Sequence, residues 1–164
     1  MTHPRRLGIL LPSSNTVMEP ETMALLPADG SVTPHFARFR MVMVSDTAES
    51  KRQFALQPMA EAGVMLADIR PRAILWGGTA ASWLGFDHDD RFRETVTART
   101  GIPCFGTVQI INEILTRRGV RRIALVTPYV ATLEAAIIAN YAANGGTSPT
   151  MCSWPAARQT TSPA

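Results

Sequence analysis

Three stretches of the 164-residue chain place small polar side chains and glycines directly after short apolar runs. Pro12-Ser13-Ser14-Asn15-Thr16 follows Leu7–Leu11. Gly77-Gly78-Thr79-Ala80-Ala81-Ser82-Trp83-Leu84-Gly85 follows Ala73–Trp76, and Thr127-Pro128-Tyr129 follows Val120–Val126. Residues of these types bind and polarise anions. A helix start presents unpaired N–H groups and a partial positive charge that attract carboxylates, and Ser14 and Asn15 add short polar side chains there. Gly78 lets the backbone approach a ligand closely. Thr79 and Ser82 can donate hydroxyl hydrogen bonds beside backbone N–H groups. Such a site can hold a carboxylate or stabilise an enolate-like oxyanion. Tyr129 adds another hydroxyl suited to an anion.

Each stretch has a plainer reading as well. Serine and asparagine favour ordinary N-caps and turns, a pair of glycines can serve packing, and a tyrosine at a helix start is common. The chemical reading depends on all three stretches converging. Ser14, Asn15, Gly78 and Ser82 are then the candidate substrate-binding residues, and Thr79 and Tyr129 the candidate catalytic ones. Other reactive residues carry less. His88, in Asp87-His88-Asp89-Asp90, lacks a completing ligand set and reads as an exposed polar helix approach. His3 falls in the terminus and His35 begins or flanks a strand. Cys104 reads as a buried small hydrophobe, and Cys152 is given no catalytic role. Met41 and Met43 read as core packing, with lining of the pocket as the alternative.

The elements that would position these stretches alternate. Arg6–Leu11 reads as a first buried strand, and Asn15 or Thr16 caps a helix to about Leu26. His35–Val44 reads as a second strand. Ser50–Ile69 has helical spacing (Phe54, Leu56, Met59, Ala62, Met65, Leu66, Ile69) and stops at Pro71. Ala73–Trp76 is a buried strand, Asp89–Thr100 a helix, and Ile102–Phe105 a short strand or extended segment. Thr107–Arg118 is a helix, Val120–Val126 a strand and Ala131–Asn144 a long helix. The pattern predicts an α/β fold, doubly wound, with a mostly parallel sheet and helices on both faces. Right-handed crossovers put the loops after the strands on one edge, where ligands bind in this class.

Composition narrows the function. Hydrophobic content of 46% suits a globular chain. No apolar run reaches the length of about 20 residues that spans a bilayer, and Leu7–Leu11 is too short for a signal-peptide core. A cytoplasmic protein is expected, with no membrane partner. The net charge of +3 is mild and the arginines flank strands, so a solvated surface is expected rather than nucleic-acid binding. With two cysteines far apart and no Cys/His cluster, a zinc site is not expected. Residues 1–145 read as one domain. Residues 146–164 lack periodicity and are rich in Ser, Thr, Pro and Ala. They are expected to be irregular: a disordered tail, or a frame-shifted or truncated end.

Over residues 6 to 145 the sequence resembles the aspartate/glutamate racemase superfamily, in the branch holding maleate cis-trans isomerase and arylmalonate decarboxylase. Gly8-Ile9-Leu10-Leu11-Pro12-Ser13-Ser14-Asn15-Thr16 is similar to the isomerase opening with its substrate-binding asparagine. Gly78-Thr79-Ala80-Ala81-Ser82-Trp83 is similar to the segment carrying the first catalytic position. Gly101-Ile102-Pro103-Cys104 and the stretch from Gly119 to Tyr129 also fit. The resemblance implies half of a pseudo-symmetric two-domain fold, cofactor-independent, acting on a small dicarboxylate, with self-association left open. It implies a cysteine from each half in racemases and isomerases, and glycine at the first position in decarboxylases. Gly78 stands there, which points to decarboxylation through an enediolate. Ala80, where the decarboxylase has serine, and the isomerase-like Asn15 depart from that pattern. The resemblance also implies that this chain alone has little or no activity. A carboxylate-binding domain without catalysis and a flavodoxin-like regulator are the alternatives; the regulator's acidic cluster is not seen after the first strand.

Overall fold

The computed structural model describes residues 4–144 and 148–151, the latter segment by its backbone. Strand β1 (Arg5–Pro12) is the centre of the fold, buried from Gly8 onward. It pairs in parallel with β2 (Val32–Phe39) on one side and β3 (Ala73–Trp76) on the other, and β3 pairs in parallel with β4 (Cys104–Gly106). A separate parallel pair joins β5 (Arg122–Leu125) to β6 (Ser148–Met151). The helices are α1 (Met18–Leu25), α2 (Ala48–Arg52), α3 (Leu56–Met65), α4 (Ala81–Leu84), α5 (Asp87–Thr100), α6 (Thr107–Arg117) and α7 (Ala131–Ala143). The α/β architecture with a parallel sheet is the one the strand-helix alternation predicts.

The strand order β2-β1-β3-β4 has a direct consequence. The chain leaves β1 toward one edge of the sheet and returns across it to build β3 on the other side. The loops after β1 and β3 therefore part company, and a crevice opens between them. Beneath it lies an apolar core with Ile9, Leu10, Ile74, Trp76, Met59, Phe92 and Val96 all nearly inaccessible. Burial of each such side chain stabilises the fold by about 1.5–3 kcal/mol.

Several elements differ from the sequence expectation. The second strand covers Val32–Phe39 rather than His35–Val44. It ends where β1 ends, and the hydroxyls of Ser13 and Ser14 then take over the backbone of Met41. Its Pro34 is tolerated because β2 is an edge strand. The single helix expected over Ser50–Ile69 is α2, α3 and a 3-10 turn at Leu66–Ile69. Pro58 explains the break: it sits in the first turn of α3, where its missing N–H is not needed. Phe54 in the break turns into the core. Strand β6 lies within the stretch expected to be irregular from residue 146. It is held by backbone pairing with β5, a signal that side-chain periodicity does not carry. Gly145, residues 146–147, residues 152–164 with Cys152, and the terminal His3 lie outside the described residues. Among the described residues no helix is long and apolar enough to cross a membrane.

His88 is also corrected, from exposed to buried. Its Nε2–H donates to the Phe54 carbonyl at 2.9 Å, and burial lowers its pKa. The neighbouring Asp89 is 1% exposed and points at the start of α6, where its Oδ2 accepts the Gln109 N–H at 3.4 Å. Gly106 makes room for it, since a Cβ there would stand 2.3 Å from Asp89 Oδ2. Burial pushes the Asp89 carboxyl from 3.8 up to about 6, against the lowering effect of the α6 amides. A carboxyl with a raised folded pKa gives stability that is complete below its unfolded value and is lost as pH rises through the folded one. Wild-type stability should therefore fall between pH 3.8 and about 6. The fall should be on the order of 2–3 kcal/mol in urea midpoints, and Asp89→Asn should flatten it. Equal slopes in the two proteins would contradict the assignment.

Candidate functional site

The crevice between the loops after β1 and β3, closed on one side by the loop after β5, holds a cleft of about 410 Å³. All three stretches singled out in the sequence reach it. Asn15 and Ser14 come from the first, Gly78 and Thr79 from the second, and Tyr129 from the third. Its apolar wall is aromatic: Trp83 packs edge-on against Phe54 at 5.1 Å between ring centres and against Tyr129 at 6.4 Å. Met41 lines the cleft and is buried, so it serves both packing and lining, while Met43 is exposed.

On the polar side, Thr79 Oγ1 and Tyr129 Oη share a hydrogen bond of 2.9 Å across fifty residues of chain. The two hydroxyls own two hydrogens and use one between them, so one donor is left for a ligand. No hydrogen bond within the described structure uses the N–H of Gly78, Thr79 or Ala80. Asn15 stands across the cleft. Its Oδ1 accepts the N–H groups of Val17 and Met18 at 3.0 and 2.9 Å, so it caps the approach to α1. Its side-chain N–H₂ is the part left to donate. The capping reading of Asn15 holds in shifted form, since the N-cap of α1 itself is Val17.

Two candidates have other work. The Ser14 hydroxyl lines the cleft but donates to the Met41 carbonyl at 2.8 Å. The Ser82 side chain is absent from the lining; it donates to the Thr79 carbonyl at 2.7 Å, while its own carbonyl accepts from Asn140 Nδ2 of α7 at 2.9 Å. Ser82 fastens the second loop rather than facing a ligand. Cys104 is buried and its thiol is pushed up to about 12, which agrees with a packing role. His35 lies within β2.

The residue that sequence reading misses most is Arg38, at the end of β2. Its Nη1 donates to the carbonyls of Pro12, Ser13 and Asn15 at 3.2, 3.1 and 2.7 Å, and its Nη2 pairs with Glu19 at 2.7 Å. One guanidinium thus gathers three carbonyls of the first loop, which lies more than twenty residues upstream. Trp76, Trp83 and Phe54 of the cleft wall were also unmarked, because their spacing looks like any core pattern. Glu134 of α7 accepts the Thr127 hydroxyl at 2.7 Å, and Thr127 Oγ1 accepts the Tyr129 N–H at 3.3 Å, so the third loop is braced in the same manner.

Comparison with known proteins agrees with this fold. A family model described as arylmalonate decarboxylase matches residues 7–153. The maleate isomerase of Nocardia farcinica (strain IFM 10152) is 29% identical over 151 residues, covering 87% of this chain and 59% of the relative. A solved structure of Nocardia farcinica maleate cis-trans isomerase, a cysteine-to-serine variant with a covalently bound succinylcysteine intermediate, is 27% identical. It superposes with a TM-score of 0.74 over 91% of this chain and 64% of that one. A crystal structure of arylmalonate decarboxylase, 20% identical, shares the fold with a TM-score of 0.70 over 92% of this chain and 64% of that one. The chain therefore spans less than two thirds of the length of these relatives.

Replacing Arg38 by Met should release the first loop. The expected loss is about 1–3 kcal/mol of stability for the charged hydrogen bonds. Hydrogen exchange should quicken at the amides of Ser13 and Asn15 while α5 stays protected. Unchanged exchange in that loop would show that Arg38 does not hold it.

Proposed function

The chain belongs to the arylmalonate decarboxylase family, and from that premise we propose that its cleft binds a small dicarboxylate and stabilises an enediolate without a cofactor. The observation that carries this reading is the Thr79–Tyr129 hydroxyl pair beside the free amides of Gly78, Thr79 and Ala80, facing Asn15. An enediolate concentrates negative charge on two oxygens of one carboxyl group. Fixed donors aimed at those oxygens favour it more than the starting acid, and they need no reorganisation when the charge forms. In this reading the side-chain amide of Asn15, which also lines the cleft, takes the other carboxylate. The succinylcysteine held by the Nocardia farcinica isomerase supports a substrate of this size and charge.

Among the reactions of this branch, decarboxylation fits best. Position 78 has no side chain to act as thiolate nucleophile or as one of two opposed acid-base groups. The product carbanion would still need a proton. Tyr129 is the one titratable side chain among the described residues lining the cleft. The cleft is also open, and water weakens each electrostatic contact in it. We therefore expect binding of the acid by this chain with little or no turnover. That same observation favours the second reading, a carboxylate-binding domain without catalysis. A cytoplasmic location is part of the proposal, and self-association is left to measurement.

Malonate titrated calorimetrically into the purified chain tests this reading, with phenylmalonate assayed in parallel for loss of carbon dioxide. Thr79→Val and Tyr129→Phe should each weaken malonate binding about tenfold, the worth of one hydrogen bond to a charged group. Asn15→Asp keeps the cap but sets a like charge against the ligand, and should weaken binding further. Wild type that ignores malonate, or variants that bind it equally well, would refute the site. Efficient release of carbon dioxide from phenylmalonate would refute the second reading and establish catalysis by this chain.

A further inference from the structure

Any side chain at position 78 would begin inside the indole of Trp76. A Cβ built on Gly78 lies 2.2 Å from Cζ2, 2.5 Å from Cη2 and 2.8 Å from Cε2 of that ring. Carbon atoms in contact sit about 3.5–4.0 Å apart. The backbone gives no other reason for glycine here, since Gly78 is not among the residues with positive φ. The indole has little freedom to retreat. Trp76 is 0% exposed, and its ring packs on Phe39 at 5.5 Å and Phe92 at 6.4 Å between centroids. Its backbone is paired between Leu10 and Gly106, and its carbonyl accepts the Thr107 hydroxyl at 2.7 Å.

We infer that Trp76 is the specificity-determining residue of the cleft: its ring occupies the space a side chain at position 78 would need, and so makes that wall from backbone amides alone. This rests on the reading of the cleft as a dicarboxylate site and deepens it. No thiol, hydroxyl or carboxylate can be added at position 78 while the indole is present, so reactions that require an attacking or proton-transferring group on that wall are closed to this chain. A side chain can enter position 78 only where position 76 is smaller than tryptophan. Trp76 is among the residues that bound the cleft although it is 0% exposed, so trimming its ring opens space beside Gly78 for a substituent on the acid.

Gly78→Ala, introduced into wild type and into Trp76→Phe, tests the coupling through thermal melting of the full chain. In wild type the methyl should lower the melting temperature by about 5 °C or more, as forced overpacking does. In the Trp76→Phe background it should cost less than half of that. Failure of Gly78→Ala alone to fold, with the double variant folded, is the same result in a stronger form. Trp76→Leu serves as a second background with still more room. A Gly78→Ala protein that melts within about 1 °C of wild type, or an equal cost in every background, would overturn the proposal. Trp76→Phe should also raise the affinity for phenylmalonate relative to malonate several-fold; an unchanged ratio would contradict the specificity role. If wild type binds neither acid while the melting coupling persists, the functional reading of the cleft fails and the exclusion by Trp76 stands.

Discussion

Parallel pairing of β1 with neighbours on both sides is the constraint on which the site depends. Because β2 and β3 flank the same strand, the loops leaving β1 and β3 diverge, and the gap between them is lined by whatever follows Pro12 and Trp76. A chain that built β3 outside β2 would have the same residues and no crevice. The apolar character of β1 thus does more than fill the core. It makes that strand the central one, and the central strand decides where the cleft lies.

Within that frame the polar residues are held by bonds that reach far along the chain. Arg38 gathers the carbonyls of the first loop, Asn140 holds the second through Ser82, and Glu134 braces the third through Thr127. The carbonyls so engaged are satisfied away from the cleft. What is left facing it is a set of donors: the Asn15 amide, the Thr79–Tyr129 pair and the N–H groups after β3. An anion is the ligand we propose for such a set, and an aromatic wall of Phe54, Trp83 and Tyr129 stands beside it.

Much of this was legible in the sequence. Ala73–Trp76 was read at its exact ends because a short apolar run bounded by Pro71 and Gly77 has few other solutions. Asn15, Thr79 and Tyr129 were legible because helix starts and strand ends need small polar residues whether or not they bind anything. Ser82 was misjudged for the same reason, since a hydroxyl that fastens a turn looks identical in sequence to one that meets a ligand. Arg38, Trp76 and Trp83 stayed hidden because their partners are chosen by tertiary packing. His88 and Asp89 looked solvent-facing in an acidic run, yet both are buried against the Phe54 carbonyl and the start of α6. The steric conflict between Trp76 and position 78 could not be read from a pair of residues two apart, which in a strand would share a face without colliding.

The most direct measurement of the central claim is where a dicarboxylate sits. Malonate titrated into isotope-labelled protein and followed by amide chemical shifts should move the backbone signals of Gly78, Thr79 and Ala80 and the side-chain amide of Asn15 together, with one saturation curve. Shifts confined to the opposite edge of the sheet, around Arg6 and Arg72, with those four signals unmoved, would contradict the account.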